Sequence, residues 1–131
     1  MTVDYVHDGD TLFLDSGLDG VIKVRLVGVD TPELQPASEC FADEATTRLR
    51  ELAVEGDTVW VEPDVEPLDH YGRSLLYVWT AAGVFVNLTL VEDGYAEAIR
   101  VGDNDAWWPE LSGAEQRARS NGRGMWGSCP S

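Results

Sequence analysis

The stretch Val21-Ile22-Lys23-Val24-Arg25-Leu26-Val27-Gly28-Val29-Asp30-Thr31-Pro32-Glu33 changes character midway, and the change decides the class of fold. From Val21 to Val27, Ile22, Val24 and Leu26 fall on one face and Lys23 and Arg25 on the other. Period-two alternation of this kind marks a half-buried strand. Asp30-Thr31-Pro32 then ends the ladder, because proline has no N–H to donate and forces the residue before it into an extended conformation. Upstream, residues 3–6 and 11–14 read as two further short strands, and Asp15-Ser16-Gly17 and Asp19-Gly20 supply turn chemistry before Val21. The result is a three-stranded antiparallel meander.

Downstream the period lengthens. Between Ser38 and Val54, Phe41, Ala45, Leu49 and Leu52 recur at helical spacing, and Gly56 stands where a helix C-cap glycine belongs. Thr58–Glu62 and Leu75–Thr80 are rich in Val, Trp and Tyr and read as strands, the second turning through Ala81-Ala82-Gly83 into Val84-Phe85-Val86. Asn87 is placed to cap a short helix ending at Gly94, and a last helix runs from about Pro109 to Ser120 before Asn121-Gly122. The order β-β-β-α-β-β-α-α predicts an α+β fold in which a small, partly open five-stranded barrel carries three helices, as in an OB-fold. Periodicity alone leaves other α+β arrangements open.

Length and composition agree with one folded domain spanning residues 1–131, since 44% of the residues are hydrophobic and 25% charged. No apolar run reaches the ~18 to 20 residues of a membrane span, and the N-terminus lacks the pattern of a signal peptide. Neither a membrane partner nor a visible leader is therefore expected. A net charge of −15 argues against nonspecific polyanion binding through the overall field, so any action on nucleic acid requires a local reversal of sign. Lys23 is the single lysine. The two cysteines, Cys40 and Cys129, with His7 and His70 show no short-range ligand pair, which argues against zinc. Cys40 and Cys129 either remain free thiols or form a bridge pinning the C-terminal tail to the body, and a bridge would favour an extracellular location.

Three short clusters concentrate acids, arginines and an aromatic residue: Asp8-Gly9-Asp10-Thr11, Arg25 to Glu33, and Asp69-His70-Tyr71-Gly72-Arg73. Each taken alone is an ordinary turn or solvated strand end. Together they supply what phosphodiester hydrolysis needs: hard oxygen ligands for a cation, an acceptor for the water proton, and cations for the phosphoryl oxygens. Asp10 and Asp30 offer carboxylates and Thr31 its carbonyl, a set that suits calcium better than zinc. Glu33 is the candidate general base, and Arg25 and Arg73 each present a planar fork of donors to phosphate.

In order and separation, these clusters, with Val86-Asn87, Leu90-Val91 and Gly94, resemble the staphylococcal nuclease (thermonuclease) family from about Val3 to Trp126. The resemblance implies an OB-fold barrel with three helices. It also implies a calcium-dependent endonuclease that cleaves DNA and RNA by metal-activated water and leaves 3′-phosphate ends. Carried over by position, Asp10, Asp30 and the Thr31 carbonyl hold the metal, Glu33 is the base, and Arg25 and Arg73 clamp phosphate. Tyr71 contacts the terminal phosphate with His70 beside it, where members of the family carry lysine, and Asp8 supports the ligands from behind. The family's aromatic platform for a base is replaced by Arg100 and Val101, and Trp107 and Trp108 are the nearby rings able to stack. Single-stranded or locally open DNA and RNA are the expected partners, the chain is expected to act as a monomer, and secretion is expected, with a cytoplasmic location the alternative. Two rivals are a silent OB-fold module that binds an oligonucleotide or a protein partner, and an acidic calcium-binding module. The first would be expected to lack at least one of Asp10, Arg25, Asp30, Glu33 and Arg73, and the second leaves the arginines beside the carboxylates unexplained.

Overall fold

Alternation sets the sheet. The computed structural model describes residues 1–130, in which β1 (Thr2–Val6), β2 (Thr11–Asp15) and β3 (Val21–Leu26) form the antiparallel meander. Val24 and Leu26 are fully buried and Ile22 packs against the same core, while Lys23 and Arg25 face the other way, as the period-two pattern requires. In β1 the register slips between Val3 and Tyr5, so that Val3 and Val6 both enter the core. The extra residue, Asp4, turns Tyr5 outward.

After Gly28 comes a two-residue strand, β4 (Val29–Asp30), and then the first helix, α1 (Ala42–Leu52). A long hairpin follows, of β5 (Val59–Leu68) and β6 (Ser74–Thr80). β6 returns parallel to β3, with Val24 opposite Ser74 and Arg25 opposite Leu75, which gives the strand order β1-β2-β3-β6-β5. The chain continues through α2 (Val86–Glu92), β7 (Glu97–Ala98), α3 (Trp108–Ser120) and a single turn, α4 (Met125–Ser128). β7 pairs with β4 and so brings Glu97 opposite Asp30.

The two edges of the five-stranded sheet curl toward each other. Thr2 bridges Thr58, and the Val3 N–H donates to the Asp57 carbonyl, but among the described residues no ladder closes the circle. The architecture is the expected α+β, OB-like one, a partly open barrel rather than a closed one. Its core joins the inner faces of the strands to Leu49, Leu90, Val91, Leu111 and Ala114 of the three helices. A smaller apolar cluster on the opposite face of β6 gathers Val27, Leu75 and Tyr77 under Trp79, Phe85 and Trp107.

Several local expectations are corrected. The first helix begins at Ala42 rather than Ser38, because Phe41 stands at its N-cap in the left-handed region (φ 73°). The preceding residues are held instead by a closed loop in which the Glu33 N–H donates to the Glu39 carboxylate and the Glu39 N–H donates to the Glu33 carbonyl. Asn87 caps nothing. It is fully buried inside α2, where its amide accepts from Val78 N and donates to the carbonyls of Val27 and Leu76, joining β3 and β6 to the helix. Past the turn at Ala81-Ala82-Gly83, Phe85 makes one bridge to Trp79 and Val86 opens α2. β5 runs on to Leu68 through Pro63 and Pro67, which an edge strand tolerates because its outer N–H groups need no partner. Cys40 and Cys129 are joined in a disulfide with Cα atoms 5.9 Å apart, so the bridge alternative holds. Among the described residues no helix is long and apolar enough to cross a membrane.

Candidate functional site

The site forms where three chain segments meet at the end of β3. Glycine at position 9 allows the first approach, since a Cβ there would lie 2.5 Å from Thr31 Oγ1 and 2.9 Å from Ala45 Cβ. The Asp8–Asp10 backbone therefore lies flat against Thr31 and α1. Asp10 is buried at 6% exposure. Its Oδ2 accepts from the Thr31 N–H at 3.1 Å, its Oδ1 accepts from the Thr11 hydroxyl at 3.2 Å, and its own N–H donates to Asp8 Oδ1 at 3.1 Å.

Arg25 ties this segment to the next. Its Nη1 donates to the carbonyls of Leu26 and Val29, both at 2.7 Å, and its Nη2 lies 3.3 Å from Asp10 Oδ2 and 3.6 Å from Asp30 Oδ1. The guanidinium thus grips the turn around Gly28, whose φ of +84° only glycine adopts freely, and holds the two carboxylates on one side. Most of its five donors are engaged, which leaves chiefly Nε and part of Nη2 for an incoming phosphate.

Negative charge exceeds positive here. Burial pushes the Asp10 carboxyl up to about 6; Arg25 opposes this and Asp8 adds to it. The exposed Glu33 carboxyl is also raised, first by loss of solvent contact and then by the charges of Asp30 and Asp8, with Arg25 opposing. Asp8, Asp10, Asp30 and Glu33 therefore share a single nearby guanidinium, and a hard divalent cation would relieve the imbalance. Among the described residues no cluster of three His, Cys, Asp or Glu side chains assembles as a metal cage. A sparser set that could hold such an ion is Asp10, Asp30 and the Thr31 carbonyl, all oxygen, beside a cleft of about 400 Å³ lined in part by Asp30, Thr31, Glu39 and Glu97.

Arg73 reaches the same face from the neighbouring strand. Arg25 lies opposite Leu75 in the parallel β3–β6 pair, so period-two alternation sets Arg73 on the side that Arg25 occupies. Asp69 fixes it: Oδ2 accepts from Arg73 Nε at 2.6 Å, and Oδ1 accepts from the backbone N–H groups of Tyr71 and Arg73, both at 2.9 Å. Partial burial pushes the Asp69 carboxyl up, but these bonds outweigh it and the net shift is downward. His70 and Tyr71 project from the exposed loop before β6, and the Arg73 guanidinium lies 5.6 Å from the Tyr71 ring centre.

The chain as a whole is similar to known proteins. The sequence model described as "Staphylococcal nuclease homologue" matches residues 23–128. The chain belongs to the staphylococcal nuclease family. Among its relatives, the thermonuclease of Staphylococcus intermedius is 35% identical over 95% of this chain and 74% of its own length. Endonuclease YhcR of Bacillus subtilis (strain 168) is 36% identical over 95% of the chain, which spans only 11% of that much longer protein. Staphylococcal nuclease domain-containing protein 1 of Drosophila melanogaster is 31% identical over 95% of the chain and 14% of its own length. The nuclease-family region thus occurs both as most of a small protein and as a minor part of large ones.

Within this family frame, the structure brings Asp8, Asp10, Arg25, Asp30, Thr31 and Glu33 together and sets Arg73 on the same face. It does not free Trp107 for stacking on a base: that ring packs edge-on against Phe85 at 4.9 Å and Trp79 at 6.0 Å. Trp108 lies beneath Arg100, which is itself paired with Asp105. Asp69 and Glu39 are not among the site residues expected from the sequence. Asp69 had a legible signal, an acid four residues before Arg73 with Gly72 between them, as in a side-chain-closed turn. Glu39 had none, because its stretch carries the helical period that the Phe41 backbone interrupts.

Proposed function

We propose that this chain is a calcium-dependent endonuclease that hydrolyses DNA and RNA, prefers single-stranded or locally open segments, and leaves 3′-phosphate ends. The observation that carries the reading is the Arg25 guanidinium spanning Asp10 and Asp30, with the Glu33 carboxylate in their field and Arg73 on the same sheet face. Relatives named as endonucleases and thermonucleases support it.

Asp10, Asp30 and the Thr31 carbonyl would hold the ion, and calcium, when bound, supplies positive charge to the phosphate and polarises the attacking water. Glu33 takes a proton from that water, and its raised affinity for protons makes it a better acceptor than an ordinary carboxylate. The water oxygen bonds to phosphorus, the bond to the 5′-oxygen breaks, and the leaving oxygen takes up a proton from solvent. Arg25 Nε and the Arg73 guanidinium stabilise the negative charge that builds on the phosphoryl oxygens. The Asp8 carboxylate supports Asp10 by accepting from the Asp10 backbone N–H. Tyr71 and His70 border the terminal phosphate. The disulfide fits an oxidising compartment, which favours secretion, and a monomer suffices for every role named.

The test is incubation of the protein with single-stranded DNA and with RNA in calcium and in chelator, followed by analysis of product ends. Calcium should support cleavage and zinc should not, since the ligand set contains no imidazole or thiolate. Glu33→Gln should abolish most turnover while the melting temperature stays within a few degrees, because the side chain is exposed. Undiminished hydrolysis in chelator, or near-normal turnover by Glu33→Gln, would overturn the mechanism.

A further inference from the structure

The outer face of the meander carries a row of side chains that the site above does not use. Register places Tyr5 opposite Phe13 and Phe13 opposite Lys23, and extending the β3–β6 register by one residue carries Arg73 alongside Lys23. The row therefore crosses four strands and ends at a residue already assigned to phosphate. Its rings are ordered, since Tyr5 and Phe13 stack with centroids 4.5 Å apart and planes 11° from parallel. The Lys23 ammonium stands 5.9 Å from the Phe13 ring centre. Tyr5 is 40% exposed and Phe13 about half-buried.

Two features make the row more than a solvated sheet surface. The bulge at Asp4 reverses the alternation of β1, and without it Tyr5 would point into the barrel. The only lysine of a chain with a net charge of −15 sits between the aromatic pair and Arg73. The nearest acid along β2, Asp15, is turned into its own loop, where it accepts from the Gly17 N–H.

We propose that Tyr5, Phe13 and Lys23 form a stacking subsite for single-stranded nucleic acid, holding a nucleotide one or more positions away from the bond cleaved at Arg25 and Arg73. The occupant is a continuous polynucleotide strand lying across the strands. Three strand spacings separate Arg73 from Tyr5, about 14 Å, so only a substrate longer than a dinucleotide reaches both ends. Stacking tolerates any base because every base has a π face, and Lys23 adds one phosphate contact. The subsite rests on the nuclease reading and names where the rest of its substrate lies.

The experiment measures binding of fluorescein-labelled oligothymidylates of 2 to 12 residues in calcium, using Glu33→Gln protein so that binding is read without turnover. Affinity should rise with length, and Tyr5→Thr and Phe13→Thr should each lose about tenfold of that gain. Tyr5→Phe and Phe13→Tyr, which keep the rings, should retain it. Lys23→Gln should lower the salt slope of binding by about 0.7. If Phe13→Thr fails to fold, Tyr5→Thr and Lys23→Gln decide the matter, since both side chains are exposed. A length dependence unchanged in the Tyr5 and Lys23 variants, or no gain with length in the parent protein, overturns the subsite. A parent protein that binds with the expected length dependence while the wild type cleaves nothing overturns the nuclease reading and leaves the subsite standing.

Discussion

Replacing Asn87 should cost more stability than almost any single polar change in this protein, because its amide serves three buried backbone groups at once. In Asn87→Ala the Val78 N–H loses its 2.9 Å acceptor and the Val27 carbonyl its 2.9 Å donor. The Leu76 carbonyl is less affected, since it also accepts from the Val27 N–H at 3.1 Å. Two buried orphans at ~1–3 kcal/mol each, together with a small cavity, give a loss of about 3–4 kcal/mol. That is a large part of the ~5–15 kcal/mol by which domains are stable. With an unfolding entropy of about 2.1 cal/mol/K per residue, the melting temperature should fall by roughly 10–15 °C. Asn87→Asp should be at least as damaging, because a carboxylate still accepts from Val78 but faces two carbonyls it cannot donate to. The assay is urea unfolding followed by circular dichroism, with the disulfide intact throughout and the slope against urea compared to show that the unfolded state is unchanged. A loss below about 1 kcal/mol for both variants would refute the claim that this amide holds β3, β6 and α2 together.

Asp69→Ala should lower kcat/KM by roughly tenfold or more through misplacement of Arg73, and Asp69→Asn, which keeps one acceptor oxygen, should recover part of it, both read by steady-state kinetics. Because the folded-state Asp69 carboxyl titrates below its ordinary value, its stabilising effect should be complete above the usual carboxylate range and be lost as pH falls through and below it, as acid titration of wild type against Asp69→Ala would show. Breaking the disulfide with Cys40→Ser and Cys129→Ser opens a loop of 89 residues' separation and should destabilise the protein by up to about 4–5 kcal/mol in the chain-entropy picture, measured as the shift in urea midpoint. Stability should rise between ~0.1 M and ~1 M sodium chloride as self-repulsion is screened, and activity should persist there because few arginines steer substrate: Arg119 and Arg123 are already paired with Glu115 and Asp93. A melting temperature that falls steadily with salt would contradict this.

The sequence by itself determined the strands and helices of the barrel and the chemical inventory of the site. Period-two alternation in Val21–Val27 places Lys23 and Arg25 on the face opposite the core whatever the partner strand, and the carboxylates, arginines and oxygen donors are legible as residue types. What the sequence could not decide were contacts between segments far apart along the chain. Asn87 reads as a cap because its local surroundings suit one; only the packing of α2 over the β3–β6 seam makes it a buried crosslink. Phe41 fits a helical period, yet the bonds between Glu33 and Glu39 and the bridge from Cys40 to Cys129 hold the chain just before it, and the helix starts one residue later. Trp107 reads as a ring free to stack on a base until the second apolar cluster encloses it. The closeness of Asp10 to Thr31 rests on a missing Cβ at Gly9, and the reach of Arg73 rests on a parallel pairing that no local pattern specifies. Local periodicity fixes which way a side chain points relative to its own strand or helix, whereas what it meets there depends on how the elements pack.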